Sequence, residues 1–128
     1  MKDYIGCNIP KLGFGLMRLP QKDGVIDIEQ VKQMADHFFA NGFTYCDTAY
    51  VYGGGASELA AKAAIVERYP RESFQLADKL PVINIEKEED MEAFVQTSLE
   101  RTRAGYFDFY LLHALNKNKL EICDKFDA

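Results

Sequence analysis

The chain has 128 residues, of which 48% are apolar, so it is long enough for one domain with a packed core and too apolar for a disordered tail. Fifteen Lys and Arg against 20 Asp and Glu give a net charge of −5 without any basic cluster, which argues against nucleic acid and membrane surfaces as partners. No apolar stretch approaches the roughly 20 residues of a membrane span, and the three cysteines lack metal-ligand spacing. We therefore expect an acidic, cytoplasmic α/β protein without a structural metal.

The first third of the chain predicts a small hairpin, a strand and a helix. The hairpin is expected around a turn at Gly6-Cys7, and the strand covers residues 12–16. Asp27 is the expected N-cap of the helix, with Gln30 three residues later as its capping-box partner. Apolar residues then recur at helical spacing up to the Asn41-Gly42 stop, namely Val31, Met34, Ala35 and Phe38.

The rest of the chain predicts three more strands that alternate with helices. The strands cover residues 43–46, 74–77 and 107–112, and their composition is apolar and aromatic. Ser57 is the expected cap of the second helix, the third carries apolar residues from Met91 to Leu99, and a fourth begins near residue 116. The run Gly53-Gly54-Gly55 is interpreted as a flexible loop, because it lacks the Lys-Ser/Thr of a phosphate-binding loop.

This alternation predicts parallel strands joined by right-handed crossovers. The strands end near Gly15, Asp47, Lys79 and His113, at intervals of 32, 32 and 34 residues. Eight such units would need about 256 residues, the usual size of a (β/α)8 barrel. Residues 1–128 are therefore interpreted as the N-terminal half of a TIM barrel, with its first four βα units, strand order 1-2-3-4 and a short N-terminal hairpin.

Three successive strands end in an ionisable residue, Asp47, Lys79 and His113. Each has an ordinary structural explanation: an Asp that caps a turn, a solvated Lys and a His satisfied in the core. Side chains at the carboxyl ends of parallel strands converge on one mouth, where such folds carry their active sites. Agreement of all three with one strand register favours a functional site.

Tyr52, five residues after Asp47, adds a fourth group to this mouth. A nearby cation such as Lys79 favours the ionised phenolate and makes the phenol a better acid. Asp47 can hold that ammonium, and His113 can bind a substrate oxygen or help to relay the proton. These groups suit protonation of a carbonyl oxygen, and the hydride that such a reduction needs must come from a nicotinamide.

Four segments together resemble the aldo/keto reductase superfamily in order and spacing. They are Leu12–Pro20 (LGFGLMRLP), Phe43–Glu58 (FTYCDTAYVYGGGASE), Leu76–Pro81 (LADKLP) and Phe107–Leu115 (FDFYLLHAL). The first and last of them resemble a bacterial branch of predicted oxidoreductases in this superfamily. The resemblance covers nearly the whole chain, and the second and fourth segments together are highly diagnostic.

The resemblance implies a catalytic tetrad of Asp47, Tyr52, Lys79 and His113. Tyr52 would donate the proton, Lys79 and His113 would tune it and orient the carbonyl, and Asp47 would anchor Lys79. It also implies NADPH, with NADH less common, bound without a Rossmann domain; Gly15, Leu16 and Asp47 are the expected cofactor-binding residues. The implied substrate is a small aldehyde or ketone.

Two positions depart from the family pattern. Asp78 stands before the lysine where Thr or Ser is usual, and it is expected to face the helices because adjacent strand residues face opposite sides. Leu16 occupies a place where small residues are common, so its side chain is expected to narrow the nicotinamide pocket.

A half-barrel also predicts assembly. The first and fourth strands are open edges, and the apolar residues expected on the uncovered barrel interior are Phe14, Leu76, Phe109 and Leu111. We expect the chain to self-associate or to pair with a missing C-terminal half that grips the cofactor. The alternative function is a non-catalytic oligomerising or regulatory half-barrel module.

Overall fold

The computed structural model describes residues 6–128. Half of the predicted N-terminal hairpin, at residues 4–5, lies outside this range. Residues 6–9 form a turn in which the Ile9 amide donates to the Gly6 carbonyl at 3.0 Å. In chain order, the elements that follow are β1 (Gly13–Gly15), β2 (Gln21–Lys22), β3 (Val25–Ile26), α1 (Ile28–Ala40), β4 (Tyr45–Asp47), α2 (Ala56–Ala61), β5 (Gln75–Leu80), α3 (Glu89–Thr102), β6 (Phe109–Leu112) and α4 (Lys117–Phe126). No helix between residues 6 and 128 has the length and apolarity needed to cross a membrane.

The main sheet has four parallel strands in the order β1-β4-β5-β6, which confirms the predicted order and direction. Gly15 is in register with Asp47, and Asp47 with Ala77. Two residues further along β5, Lys79 is paired with Leu111 of β6. The carboxyl ends of the strands therefore lie along one edge, with the helices on one face of the sheet.

Local capping explains where the helices begin. The Asp27 carboxylate accepts the Gln30 amide at 3.3 Å and starts α1 as predicted. The Asn116 side chain does the same for α4, accepting the Lys119 amide at 3.0 Å. The predicted cap of α2 is wrong: Gly55 precedes this helix, and Ser57 lies inside it. The Ser57 hydroxyl is used instead by a tertiary contact described below. Beyond Ala61, α2 continues as a π-helical turn over Lys62–Val66.

A second, two-stranded sheet was not predicted. It joins β2 and β3 antiparallel through Asp23 and Gly24, both of which have positive φ angles. Asp-Gly is a strong signal for a two-residue hairpin turn whose central residues both need positive φ. The signal is present in the sequence, but the flanking strands are only two residues long and carry no alternating pattern.

The core lies between the sheet and the helices. Phe14, Cys46 and Leu76 share a register row on the helix side, and Cys46 and Leu76 are fully buried there. Phe14 and Leu76 therefore do not face the open barrel interior, contrary to the sequence-based expectation. Phe109 and Leu111 remain on that other face, and Leu111 is 42% exposed.

Arg71 ties the start of β5 to the segment before β6. Its guanidinium donates to the carbonyls of Ala104 (3.1 Å), Phe74 (3.1 Å) and Tyr106 (2.7 Å), and to the Asp108 carboxylate (2.8 Å). The same Asp108 oxygen accepts the Leu76 amide at 2.8 Å. The Arg71 side chain is only 16% exposed, so these hydrogen bonds are poorly replaced by water.

We expect Arg71→Lys to lower the free energy of unfolding by about 2 kcal/mol, because one ammonium cannot replace a planar group that donates in four directions. Urea denaturation measures this difference. Arg18→Lys, at an exposed arginine, is the matched control and should change stability little. Equal stability of the two variants would contradict the proposed role of Arg71.

Candidate active site

The four residues expected to form a site lie together at the carboxyl edge of the sheet. Asp47 is the last residue of β4, Lys79 lies near the end of β5, and His113 directly follows β6. Tyr52 lies in the loop between β4 and α2. The equal spacing of the strands produces this convergence.

Lys79 is the centre of the cluster. Its ammonium donates to Asp47 Oδ2 at 2.8 Å and to the Thr48 carbonyl at 2.7 Å. The Lys79 side chain is 13% exposed and that of Asp47 is 29% exposed, so the pair is partly withdrawn from water. Withdrawal from water makes an unpaired charge expensive, and the two acceptors therefore fix the position of the ammonium.

The same ammonium lies beside Tyr52. Lys79 Nζ is 4.7 Å from the centroid of the Tyr52 ring, within the range of a cation–π contact. The His113 ring meets that of Tyr52 edge to face, with centroids 5.5 Å apart and planes at 88°. Lys79 therefore contacts the face of the Tyr52 ring, while His113 packs against the same ring edge to face.

The surroundings of His113 favour its neutral imidazole form. Burial lowers its pKa first of all, and the ammonium groups of Lys79 and Lys119 lower it further, while Asp47 acts in the opposite direction. Its backbone amide donates to the Leu80 carbonyl at 3.0 Å, which fixes the end of β6. A neutral histidine keeps one N–H donor for a substrate oxygen.

The loop that carries Tyr52 has a defined turn where a flexible glycine run was expected. Gly53, Gly54 and Gly55 all have positive φ angles, of 61°, 64° and 99°. This left-handed path is sterically open to glycine and costly for most other residues. The run is therefore needed to lead the chain from Tyr52 into α2.

Two buried hydroxyl groups join the strand ends behind this loop. Ser57 donates to the Leu16 carbonyl at 2.8 Å, and its oxygen is 2.7 Å from the Thr48 hydroxyl. Because a serine hydroxyl has one proton, Thr48 must be the donor of the second bond. Thr48 thus binds Ser57 through its side chain and Lys79 through its carbonyl. Both hydroxyl residues lie in the Phe43–Glu58 segment, where Ser57 was expected to cap a helix and Thr48 carried no expected role.

The residues expected to hold the cofactor differ in their placement. Gly15 ends β1 at the same edge as Asp47. No other atom lies within 4 Å of the position that a Cβ on Gly15 would take, so a flat ring has room to approach the backbone there. Leu16 is 1% exposed and packs into the helix-side core, so its side chain does not narrow the mouth as expected. Within residues 6–128, no group of three or more His, Cys, Asp or Glu is arranged to hold a metal ion.

Adjacent residues of β5 face opposite sides of the sheet. Lys79 faces the mouth, and Asp78 therefore faces the helices, as predicted. Asp78 and Glu58 of α2 are both fully buried, and their carboxyl groups contact each other. Asp78 Oδ2 and Glu58 Oε2 each lack a hydrogen-bond partner. A proton shared by the two carboxyl groups would supply the missing donor. Burial, followed by the contact with Glu58, raises the pKa of Asp78 to about 8.

This pair predicts that stability falls as the pH rises from about 4 to about 8. The folded chain keeps the Asp78 proton in this interval and the unfolded chain releases it, so the folded state binds more protons. Asp78→Asn keeps a donor toward Glu58 without a proton to lose. We expect the wild type to lose stability relative to this variant as the pH rises, with a slope approaching about 1.4 kcal/mol per pH unit.

Urea denaturation at a series of pH values between 4.5 and 9 measures this slope. Asp124→Asn, at an exposed position on α4, is the control and should follow the wild type. A constant difference between the wild type and Asp78→Asn across the series would mean that Asp78 is ionised in the folded chain.

Comparison with known proteins agrees with this geometry. The model of the aldo/keto reductase family matches residues 11–128. A probable aldo-keto reductase 1 from soybean, Glycine max, is 32% identical over 127 residues, which cover 87% of this chain and 34% of the soybean protein.

Solved structures of this family have the same fold. An aldo-keto reductase from Klebsiella pneumoniae in complex with NADPH superposes with a TM-score of 0.72 at 25% identity, covering 91% of this chain and 41% of that one. The holo form of an aldo-keto reductase from Bacillus halodurans gives 0.71 at 25% identity, with 93% and 42% covered. The chain thus spans between a third and a half of the length of these relatives, and its four-stranded sheet corresponds to part of their barrel. By its matched residues and its fold, the chain belongs to the aldo/keto reductase family.

Proposed function

We propose that this chain provides the proton-transfer residues of an oxidoreductase that reduces aldehydes or ketones with NADPH. The observation that carries the proposal is the position of the Lys79 ammonium. It is bound to Asp47 and to the Thr48 carbonyl, and at the same time it lies over the Tyr52 ring beside His113. A structural ion pair has no need of a phenol and an imidazole at its open side.

Each residue has a distinct part in the proposed reaction. The neutral His113 donates a hydrogen bond to the carbonyl oxygen of the substrate and orients it. Tyr52 transfers its phenolic proton to that oxygen as negative charge develops there. The phenolate left behind is stabilised by the Lys79 ammonium, which Asp47 holds in place.

The remaining requirement is a hydride donor, since no side chain carries a hydride. When bound, a nicotinamide cofactor supplies the hydride that adds to the carbonyl carbon. On this chain Gly15 and Asp47 would hold it, through the open space beside the glycine and the carboxylate at the strand edge. The complex of the Klebsiella relative with NADPH supports this choice of cofactor, and NADH is the alternative.

We expect residues 1–128, joined to the C-terminal part of the Klebsiella reductase that this chain does not match, to reduce a reactive aldehyde with NADPH. In this chimera, Tyr52→Phe should lower kcat at least about 100-fold, because a positioned general acid contributes that much or more. Its NADPH affinity should stay close to that of the unsubstituted chimera, since only a hydroxyl is removed. Stopped-flow absorbance of NADPH and fluorescence titration measure the two quantities.

Tyr106→Phe is the matched control, because Tyr106 is exposed and meets Arg71 through its ring, which phenylalanine keeps. Its kcat should equal that of the unsubstituted chimera. Equal loss of turnover and of cofactor binding in Tyr52→Phe would show that Tyr52 is structural, and turnover that survives Tyr52→Phe would refute its role as proton donor.

A second proposal concerns assembly, and the open edges of the sheet favour it. Among residues 6–128, β1 pairs only with β4, and β6 pairs only with β5, so both outer strands expose unpaired backbone groups. Several apolar side chains near β6 are also exposed, namely Leu111, Leu112, Leu115 and Leu120. We propose that a C-terminal half-barrel covers these edges, and that a second copy of the chain does so when this half is absent.

We expect the isolated 128-residue chain to sediment above 14.5 kDa at micromolar concentration and to show no NADPH-dependent turnover. Leu111→Lys should shift it toward the monomer, since a charge on the exposed barrel face opposes association. Leu59→Lys, at an equally exposed leucine on α2, should not. A compact monomer with reductase activity would contradict both the assembly proposal and the need for a second half.

A further inference from the structure

The loop that carries Tyr52 is held from behind by a residue of α3. Arg101 donates to the Tyr50 carbonyl at 3.2 Å, and its guanidinium carbon is 4.5 Å from the centroid of the Tyr50 ring. The guanidinium also fills the space beneath Gly55, where a Cβ atom would stand only 2.9 Å from it. Arg101 therefore contacts both ends of the six-residue segment 50–55 that contains Tyr52.

Arg101 is itself fixed by a buried carboxylate. It donates to Glu58 Oε1 at 2.9 Å, and the Glu58 side chain is fully buried while that of Arg101 is 27% exposed. The Glu58 side chain also lies against that of Asp78, whose Oδ1 accepts the Lys79 amide at 2.8 Å. A continuous chain of contacts thus leads from the Tyr52 loop to the backbone of Lys79.

We propose that Arg101 is a positioning residue, held by the Glu58–Asp78 carboxyl pair, which fixes the segment 50–55 so that the Tyr52 ring stays against the Lys79 ammonium. The inference rests on the proposed function for its importance to catalysis, but the placement of Tyr52 that it concerns is measurable without any turnover.

The charges around the pair are consistent with a single fixed arrangement. Arg101 from α3 and the Tyr110 phenol from β6 face the pair, and Lys79 contributes only its backbone amide because its ammonium lies at the mouth. Burial and the two carboxyl groups raise the pKa of Tyr110. With one proton shared, the pair carries one negative charge, which the Arg101 guanidinium balances. Loss of the Arg101 charge would leave that carboxylate buried without a cation, and loss of its planar shape would free the loop.

The two roles of Arg101 are separable by substitution. Arg101→Lys keeps a cation for Glu58 but removes the flat group that lies on the Tyr50 ring and beneath Gly55. Arg103→Lys, two residues further along at an exposed position, is the matched control. The segment 50–55 is monitored through the amide protons of Tyr52 and Gly54, which donate to Ala49 and Val51 at 3.2 and 3.1 Å.

Hydrogen exchange on the intact chain should become at least about tenfold faster at these two amides in Arg101→Lys, with the amides of β4 and β5 unchanged. In chains labelled with 3-fluorotyrosine and assigned with Tyr52→Phe, the fluorine resonance of Tyr52 should move toward that of the free amino acid. Arg103→Lys should change neither quantity.

Three results would overturn the proposal. The first is unchanged hydrogen exchange together with an unmoved Tyr52 resonance in Arg101→Lys. The second is an equal change of both quantities in Arg103→Lys. The third is unfolding of the whole sheet in Arg101→Lys, which would make Arg101 a general structural residue. Because neither readout requires carbonyl reduction, loss of the proposed function leaves this test intact.

Discussion

An ammonium withdrawn from water must be balanced by the protein, and around Lys79 this requirement connects most of the sheet edge. Asp47 supplies the opposite charge from β4, and the Thr48 carbonyl supplies the second acceptor. Thr48 in turn binds Ser57, which reaches the Leu16 carbonyl after β1. Three strand ends and the first turn of α2 are thereby joined around one charge. On its remaining side the ammonium lies over the Tyr52 ring, which the His113 ring contacts edge to face.

The periodic features of this structure were readable from the sequence. A repeat of about 32 residues identifies the βα units, and in parallel strands it brings every strand end to the same edge. This spacing alone predicts that Asp47, Lys79 and His113 lie together. The Asp27 cap was also predicted, because its partner Gln30 lies within the same turn of helix. Local spacing is sufficient for both.

What the sequence did not reveal depends on contacts between distant residues or on the phase of a short strand. The three-residue strand β1 does not define which of its residues point inward, so Phe14 was expected on the wrong face. Leu76 lies in the longer β5, two residues before Asp78, and alternation along this strand puts both on the helix side. Local sequence predicts a helix cap at Ser57, because its actual partner, the Leu16 carbonyl, lies 41 residues away and leaves no local signal. Arg101 contacts Tyr50 and Glu58, which lie 51 and 43 residues away in the chain, so no local pattern indicates its role.

The constant spacing of the strands also bears on how the chain folds during synthesis. Register partners in neighbouring strands are 32, 30 and 32 residues apart, as for Gly13 and Tyr45, Tyr45 and Gln75, and Ala77 and Phe109. Closing each βα loop therefore costs nearly the same conformational entropy. Because each new strand reaches its neighbour after the same loop closure, we expect the sheet to form in chain order during synthesis. The edge presented by β6 at the end of this growth is the template on which the next strand of a barrel would pair.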